Sequence, residues 1–444
     1  DAILRVHPRA LSEMLHRQVD ATAPRDVLAR GVAASPGAAT GRLVFNSAAA
    51  QASAARGEPC ILVRRETSPE DIRGMHAAQG VLTERGGMTS HAAVIARGLG
   101  LPGVVGVSDI ILNRKDKFIT LPDGRVLKTG DTVTIDGTTG AILDGAVALQ
   151  EPALDDAFRT LLGWADDVRD IDVRANADTP AEAKVARAFD AQGIGLCRTE
   201  HMFFEGDRMI VMREMIFADA TEGRKAALER LVPMQVSDLT DLFKIMSGLP
   251  VCIRLLDPPL HEFLPSGRDA LRDLADALDI SLSKVTRRVE ALSEFNPMLG
   301  LRGVRLGVTM PEIYEAQARA IFLAAIAASK EGESIIPEIM IPLVSACREV
   351  ELVSERIKDV ATAVRHETGA DFEYRLGVMV ETPRAALRAE EIAPYCAFLS
   401  FGTNDLTQMA YGLSRDDAGR FMGAYVNQGV FPEDPFHRLD VEGV

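Results

Sequence analysis

Cysteine is sparse in this chain: Cys60, Cys197, Cys252, Cys347 and Cys396 stand scattered, with no C-x-x-C motif and no framework spacing. The pattern excludes a disulfide-stapled scaffold and is that of reduced thiols in the cytoplasm. Long apolar runs are missing too. No stretch reaches the roughly 18 residues a spanning helix needs, so no membrane partner is expected. The opening segment, DAILRVHPRALSEMLHRQVD, is charged and amphipathic and lacks the apolar core of a secretory signal. Basic excess is absent as well: 49 Lys and Arg face 64 Asp and Glu, a net charge of −15. That balance excludes nucleic acid, whose backbone requires a basic surface. A small anion stays open, because a few arginines in one cleft set the local field whatever the overall sum.

What is present is a large interior. Apolar residues make up 47% of 444, a length that predicts two or three domains. Residues 1–30 read as a helical lead-in. Residues 31–148 alternate short β-rich runs (GRLVF, PCILVRR, QGVLTE, GVVGV, TVTIDG, AILDG) with Gly, Pro and Asp turns and two short helices, a compact mixed α/β domain. Residues 149–170 read as a helical linker. From 171 to 444, strand candidates IDVRANA, GIGLCRTE, VCIRLLD, MLGLRGVRL, PEIMIPLV, RLGVMVE and CAFLSFG alternate with helical stretches. That alternation predicts a parallel sheet, and its length fits a (β/α)8 TIM-type barrel truncated before its last strand.

In such a barrel the functional face lies at the C-terminal ends of the strands. Arg198, Arg254 and Arg302 fall near three of those ends, Glu381 follows another, and Gly402, Thr403, Asn404 and Asp405 follow the last. Arginine clamps carboxylate or phosphate bidentately. Glu381 and Asp405 together offer hard oxygen ligands for one Mg²⁺, with positions left for substrate and water. The constellation is that of a site for a phosphorylated carboxylic acid. Each residue also has an ordinary reading. Arg198 and Glu200 suit a surface ion pair, Glu381 suits a loop ahead of a Thr382 cap and Pro383, and Asn404 and Asp405 suit helix caps. His201 and His261 are expected in structural hydrogen bonds.

The run RGGMTSHAAVIARG places His91 on the first turn of a helix behind a glycine pair. Thr89 or Ser90 as a cap, with His91 merely exposed, is the plain alternative. The other is a phosphate site at the helix N-terminus, with the imidazole as nucleophile.

The motifs GGMTSHAAVIARGLGLPGV, GIGLCRTEHMFFEGDRM, RLLDPPLHEFLP, FNPMLGLRGVRLG, PEIMIPLV and LSFGTNDLTQMAYGLSRDD, in this order, resemble the PEP-utilising enzymes, and among them the pyruvate, phosphate dikinases. The resemblance runs over the whole chain. It implies a swivelling phosphohistidine domain ahead of the barrel, with His91 as the catalytic phosphoryl carrier. It also implies that Arg198, Arg254 and Arg302 bind the phosphoryl group and carboxylate of phosphoenolpyruvate, with Gly402, Thr403 and Asn404 holding substrate. Glu381 and Asp405 match Mg²⁺ ligands, and Thr89 matches a regulatory phosphorylation site. The implied reaction interconverts ATP, phosphate and pyruvate with AMP, diphosphate and phosphoenolpyruvate in a cytoplasmic homodimer. ATP and phosphate would enter only through a nucleotide-binding region that the family carries ahead of these segments. That region and the cysteine-bearing run at the barrel's end are not found here. A phosphoenolpyruvate synthase, an enzyme I-like phosphotransferase and a non-catalytic binding fragment stay open as alternatives.

Overall fold

Short, nearly continuous apolar runs such as CILVR, GVLT and AILD give the first part of the chain a sheet with two buried faces. A computed structural model describes all residues except 1, 7–14, 68–70, 88–89, 114, 152–155, 204–207, 266, 295, 333–334, 419–420, 437–442 and 444. It divides into two compact units, Asp1–Asp170 and Ile171–Val444.

In the first unit the strands are β1 (Gln18–Val19), β2 (Val27–Arg30), β3 (Val32–Ser35), β4 (Ala38–Val44), β5 (Cys60–Arg64), β6 (Gly80–Thr83) and β7 (Gly103–Val105). They continue as β8 (Ile111–Asn113), β9 (Phe118–Thr120), β10 (Val126–Lys128), β11 (Thr132–Asp136), β12 (Ala141–Asp144) and β13 (Leu149–Gln150). Eight of them form one sheet in the order β2-β12-β11-β4-β5-β6-β7-β3, and β8 to β10 form a small meander. Strands β4 to β7 are parallel and are joined through helices Ser47–Ala55, Ile72–Ala77 and His91–Gly98. Val44, Cys60, Leu62 and Val81 bury against Ala50, Met75 and Ala96 of those helices. Their neighbours Leu43, Ile61, Val63 and Leu82 bury on the opposite face with Ile119 and Leu121. Three helices thus stand where two are expected.

Within the expected helical lead-in, Ala2–Arg5 is a helix. Residues 7–14 lie outside the described ones, but Val27–Arg30 is a strand, paired with β12 at the edge of the large sheet. Leu28 and Ala29 are buried there; a sheet edge supplies ladder bonds and apolar cover that a short isolated helix lacks.

The second unit holds β14 (Ala175–Asn176), β15 (Ile194–Arg198), β16 (Val251–Arg254), β17 (Pro337–Ile341), β18 (Arg375–Val380) and β19 (Phe398–Phe401). All pair in parallel, in chain order. Ile253, Ile339, Ile341, Val378 and Val380 pack into the large helix-side core. Leu196, Cys252, Met340, Met379 and Phe398 cluster on the other face. Burial on both faces is why these strands read as unbroken apolar runs. Helices Thr221–Ile245, Pro311–Ser329 and Cys347–Thr368 are among those that cover the outer face.

MLGLRGVRL, expected as a strand, is not one. It forms a 3-10 turn, Pro297–Leu299, and a helix, Val304–Thr309. β16 pairs directly with β17, Arg254 opposite Met340, which leaves no edge for a strand between them. Gly303, at φ +56°, turns the chain instead, donating its N–H to the Asp257 carbonyl at 2.8 Å. Arg302 therefore sits on a loop, not on a strand.

Candidate active site

A cavity of about 480 Å³ opens at the C-terminal ends of β15, β16, β18 and β19. Arg198, Arg254, Arg302, Glu381, Gly402, Thr403, Asn404 and Asp405 all line it, so the structure gathers every site residue expected in the second unit. Parallel strands deliver their last residues to one rim, and the loops that follow close around it.

The cavity wall is a chain of alternating charges. Arg254 donates to Glu200 at 2.5 Å and lies 3.2 Å from Asp257. Asp257 Oδ2 also accepts from Arg302 at 2.6 Å, and Arg302 reaches Asp405 at 3.4 Å. Burial disfavours the charge on Arg254, but Asp257, Glu200 and Glu381 outweigh it and hold the guanidinium pKa above its usual value. Arg302 behaves alike, through Asp257 and Asp405. Glu200, Arg254, Asp257 and Arg302 are all buried, yet Glu200 Oε2, Asp257 Oδ1, Arg254 Nε and Arg302 Nε have no hydrogen-bond partner. Unsatisfied buried polar atoms are rare in folded proteins, and four of them cluster in this one charged network.

Arg198 does not pair with Glu200. Asp178 takes its N–H at 2.6 Å and its guanidinium at 3.1 Å, and takes His201 Nδ1 at 2.7 Å. Burial tends to raise the Asp178 pKa, but the His201 hydrogen bond and the Arg198 N–H and charge pull it below the usual range. The same hydrogen bond raises His201, against some desolvation. His201 thus has the structural bond expected of it, whereas Nδ1 of His261 has no partner.

Glu381 follows β18 and is 1% exposed. Thr382 caps helix Pro383–Leu387 as anticipated, but the carboxyl beside it does more than sit in a loop. It accepts the Leu343 N–H at 2.6 Å, and Leu343, wholly buried, adopts φ +55° to deliver that bond. Burial first, then Asp257 and Asp405, push the Glu381 pKa up to about 9, with Arg254 opposing. Asp405 and Asn404 are not caps: helix Thr403–Tyr411 starts from Gly402, and both lie in its first turn. A side chain at Gly402 would meet Glu381 Oε2 at 2.5 Å, so only glycine lets this helix end lie on the carboxyl. The free N–H groups of such a helix end favour an anion.

A divalent cation fits these residues. The buried Glu381 and the partly buried Asp405 carboxyls face each other closely enough to hydrogen-bond, which is uncomfortable for two negative charges and relieved by a cation. Among the described residues no three of His, Cys, Asp and Glu cluster around one point.

Sequence reasoning passed over Asp257, Asn176, Glu262, Met298, Gln408 and Arg415, which also line the cavity. Asp257 left one signal, its place three residues after Arg254. In the first unit, Ser90 caps helix His91–Gly98 by accepting the Ala93 N–H at 3.4 Å, and His91 opens it. Thr89 and the side chain of His91 lie outside what the structure describes.

Residues 152–442 match the family described as PEP-utilising enzyme, PEP-binding domain, and residues 56–140 match the PEP-utilising enzyme mobile domain. Over its full length the chain is 52% identical to a pyruvate, phosphate dikinase of Rhizobium meliloti, 49% of which it covers. It is 47% identical to the same-named enzyme of Clostridium symbiosum (51% covered) and 50% identical to the chloroplastic enzyme of Mesembryanthemum crystallinum (47% covered). The chain spans about half the length of these relatives. With the arginine and carboxylate cavity falling inside the longer of the two matched segments, the chain belongs to the PEP-utilising enzymes.

Proposed function

We propose that the chain carries the phosphohistidine and phosphoenolpyruvate stations of a pyruvate, phosphate dikinase. The phosphohistidine domain is built on residues 31–148, extended by β2. Residues 149–170 act as a linker on which it swivels, and residues 171–444 form the wall of a (β/α)8 barrel that takes phosphoenolpyruvate or pyruvate. One observation carries this reading: Arg254 and Arg302 alternate with buried carboxylates in a single cavity at strand ends, and that network leaves four buried polar atoms without a hydrogen-bond partner.

Arg198, Arg254 and Arg302 meet the phosphoryl and carboxylate oxygens of phosphoenolpyruvate, and Gly402, Thr403 and Asn404 hold it at the helix end. A nitrogen of His91 attacks phosphorus, the bond between phosphorus and the enol oxygen breaks, and the enolate of pyruvate leaves. In the reverse direction the enolate oxygen takes the phosphoryl group back. The arginines neutralise the group in flight, which is catalysis by position and charge. Mg²⁺, held by Glu381 and Asp405, would supply positive charge beside the oxygen on which the enolate charge collects. Charging of His91 from ATP and phosphate takes place on a region outside these residues. A cytoplasmic homodimer and control through Thr89 complete the proposal.

The test is incubation of the chain with phosphorus-labelled phosphoenolpyruvate and Mg²⁺. Acid-labile label on the wild type, absent from His91→Ala, is expected. No uptake, or label that survives the substitution, refutes the reading.

A further inference from the structure

Past Arg254, strand β16 runs out of sheet partners and its peptide groups turn to side chains. Leu255 N–H still reaches the Met340 carbonyl at 3.0 Å. The Arg254 carbonyl accepts from the Thr199 hydroxyl, Leu256 N–H donates to Gln317 Oε1, and the Leu256 carbonyl accepts from the Tyr314 hydroxyl, each at 2.9 Å. Gln317 Nε2 donates to Thr199 Oγ1 at 2.9 Å, which links the pieces into one network. Thr199, Tyr314 and Gln317 are at most 2% exposed, and none lines the cavity. Burial holds the Tyr314 pKa well above its usual value, so the hydroxyl stays a donor.

The network brackets the residues that face the ligand. Thr199 and Glu200 grip Arg254 at both ends, the hydroxyl on its carbonyl and the carboxylate on its guanidinium. Tyr314 and Gln317, one turn apart on helix Pro311–Ser329, hold both peptide groups of Leu256, next to Asp257. Apolar side chains at these places would seat the helix against the sheet equally well. What a fully satisfied buried polar network adds is a single fixed position.

We propose that Thr199, Tyr314 and Gln317 are positioning residues for anion recognition, fixing the Arg254–Asp257 segment so that its guanidinium and carboxylate meet the ligand. The proposal rests on the reading that the cavity takes phosphoenolpyruvate. Losing one such bond is expected to weaken binding about tenfold, since roughly 1.4 kcal/mol is a factor of ten and a hydrogen bond is worth about that much.

The experiment is calorimetric titration of the full chain with phosphoenolpyruvate in Mg²⁺, below the melting temperature of every variant. Wild type is expected to bind and Arg254→Ala to lose binding. Tyr314→Phe and Thr199→Val, which keep shape and remove only the hydroxyl or its equivalent, should each weaken binding about tenfold. Thr199→Ser, which restores the hydroxyl, should return to the wild-type value. If Tyr314→Phe and Thr199→Val melt lower but bind as wild type does, the network is merely structural and the proposal falls. If the wild type itself does not bind, the reading of the cavity fails and takes the proposal with it.

Discussion

The substitution Glu381→Gln removes a carboxyl whose pKa burial, and then the charges of Asp257 and Asp405, lift from 4.5 to about 9. In the unfolded chain the same group ionises near 4.5. Between those two values the folded state holds the extra proton, so stability is greatest below pH 4.5, falls as pH rises through the window, and levels off above about 9. Each pH unit inside the window corresponds to about 1.4 kcal/mol. By pH 7 the metal-free protein should have lost on the order of 3 kcal/mol from this group alone. Glutamine keeps the shape and does not titrate. Urea unfolding of metal-free wild type and Glu381→Gln from pH 4.5 to 8 reads the difference directly, and the wild-type curve alone should carry the slope. A second arm uses the cation: Mg²⁺ added at pH 7 should release about one proton, seen as a dependence of the binding heat on the buffer's ionisation enthalpy. Parallel pH–stability curves, with no proton released, would refute the assignment of a protonated Glu381.

Two further outcomes are expected. His201, hydrogen-bonded to Asp178, should titrate by NMR with a midpoint above 6.5. The stability it contributes is complete below 6.5 and lost as pH rises through that midpoint, and Asp178→Asn should bring the midpoint down; a wild-type midpoint at or below 6.5 counts against the pair. Gly303→Ala would place a methyl 2.7 Å from Leu343 Cβ and 3.0 Å from Asp257 Oδ1, on a backbone with φ +56°. Backbone and overpacking terms together predict a loss of roughly 2–4 kcal/mol in urea unfolding, and an unchanged midpoint would contradict it.

The strands of the second unit were legible because burial on both faces leaves an uninterrupted apolar run, as in VCIRLLD, PEIMIPLV and RLGVMVE. The same rule misread MLGLRGVRL. Its apolar spacing suits a strand, but its two glycines and the lack of an open edge between β16 and β17 decide otherwise. Arg254, Glu381 and Asp405 were legible as the polar residues at strand ends. That one oxygen of Asp257 serves two arginines was not, since the second lies 45 residues further along the chain. Leu343 was equally silent: nothing in PEIMIPLV announces a left-handed backbone, which the fold imposes to aim an amide at Glu381. Val27–Arg30 was lost to the helix-like stretch before it, because a four-residue edge strand carries little periodicity of its own.

The shared oxygen of Asp257 bears on how a ligand arrives. Four arginines line the cavity beside five carboxyls, so the positive charge is largely spent on internal partners. Beyond the mouth little field survives, and the chain as a whole is negative by 15 charges. A multiply charged anion therefore meets a net repulsion rather than a long-range pull, and its association rate should rise as ionic strength screens that repulsion, the opposite of a steered encounter. Attraction begins only at contact, where phosphate and carboxylate oxygens replace carboxylates already in place. Such a cavity discriminates among anions by fit, because it does not gather them by charge.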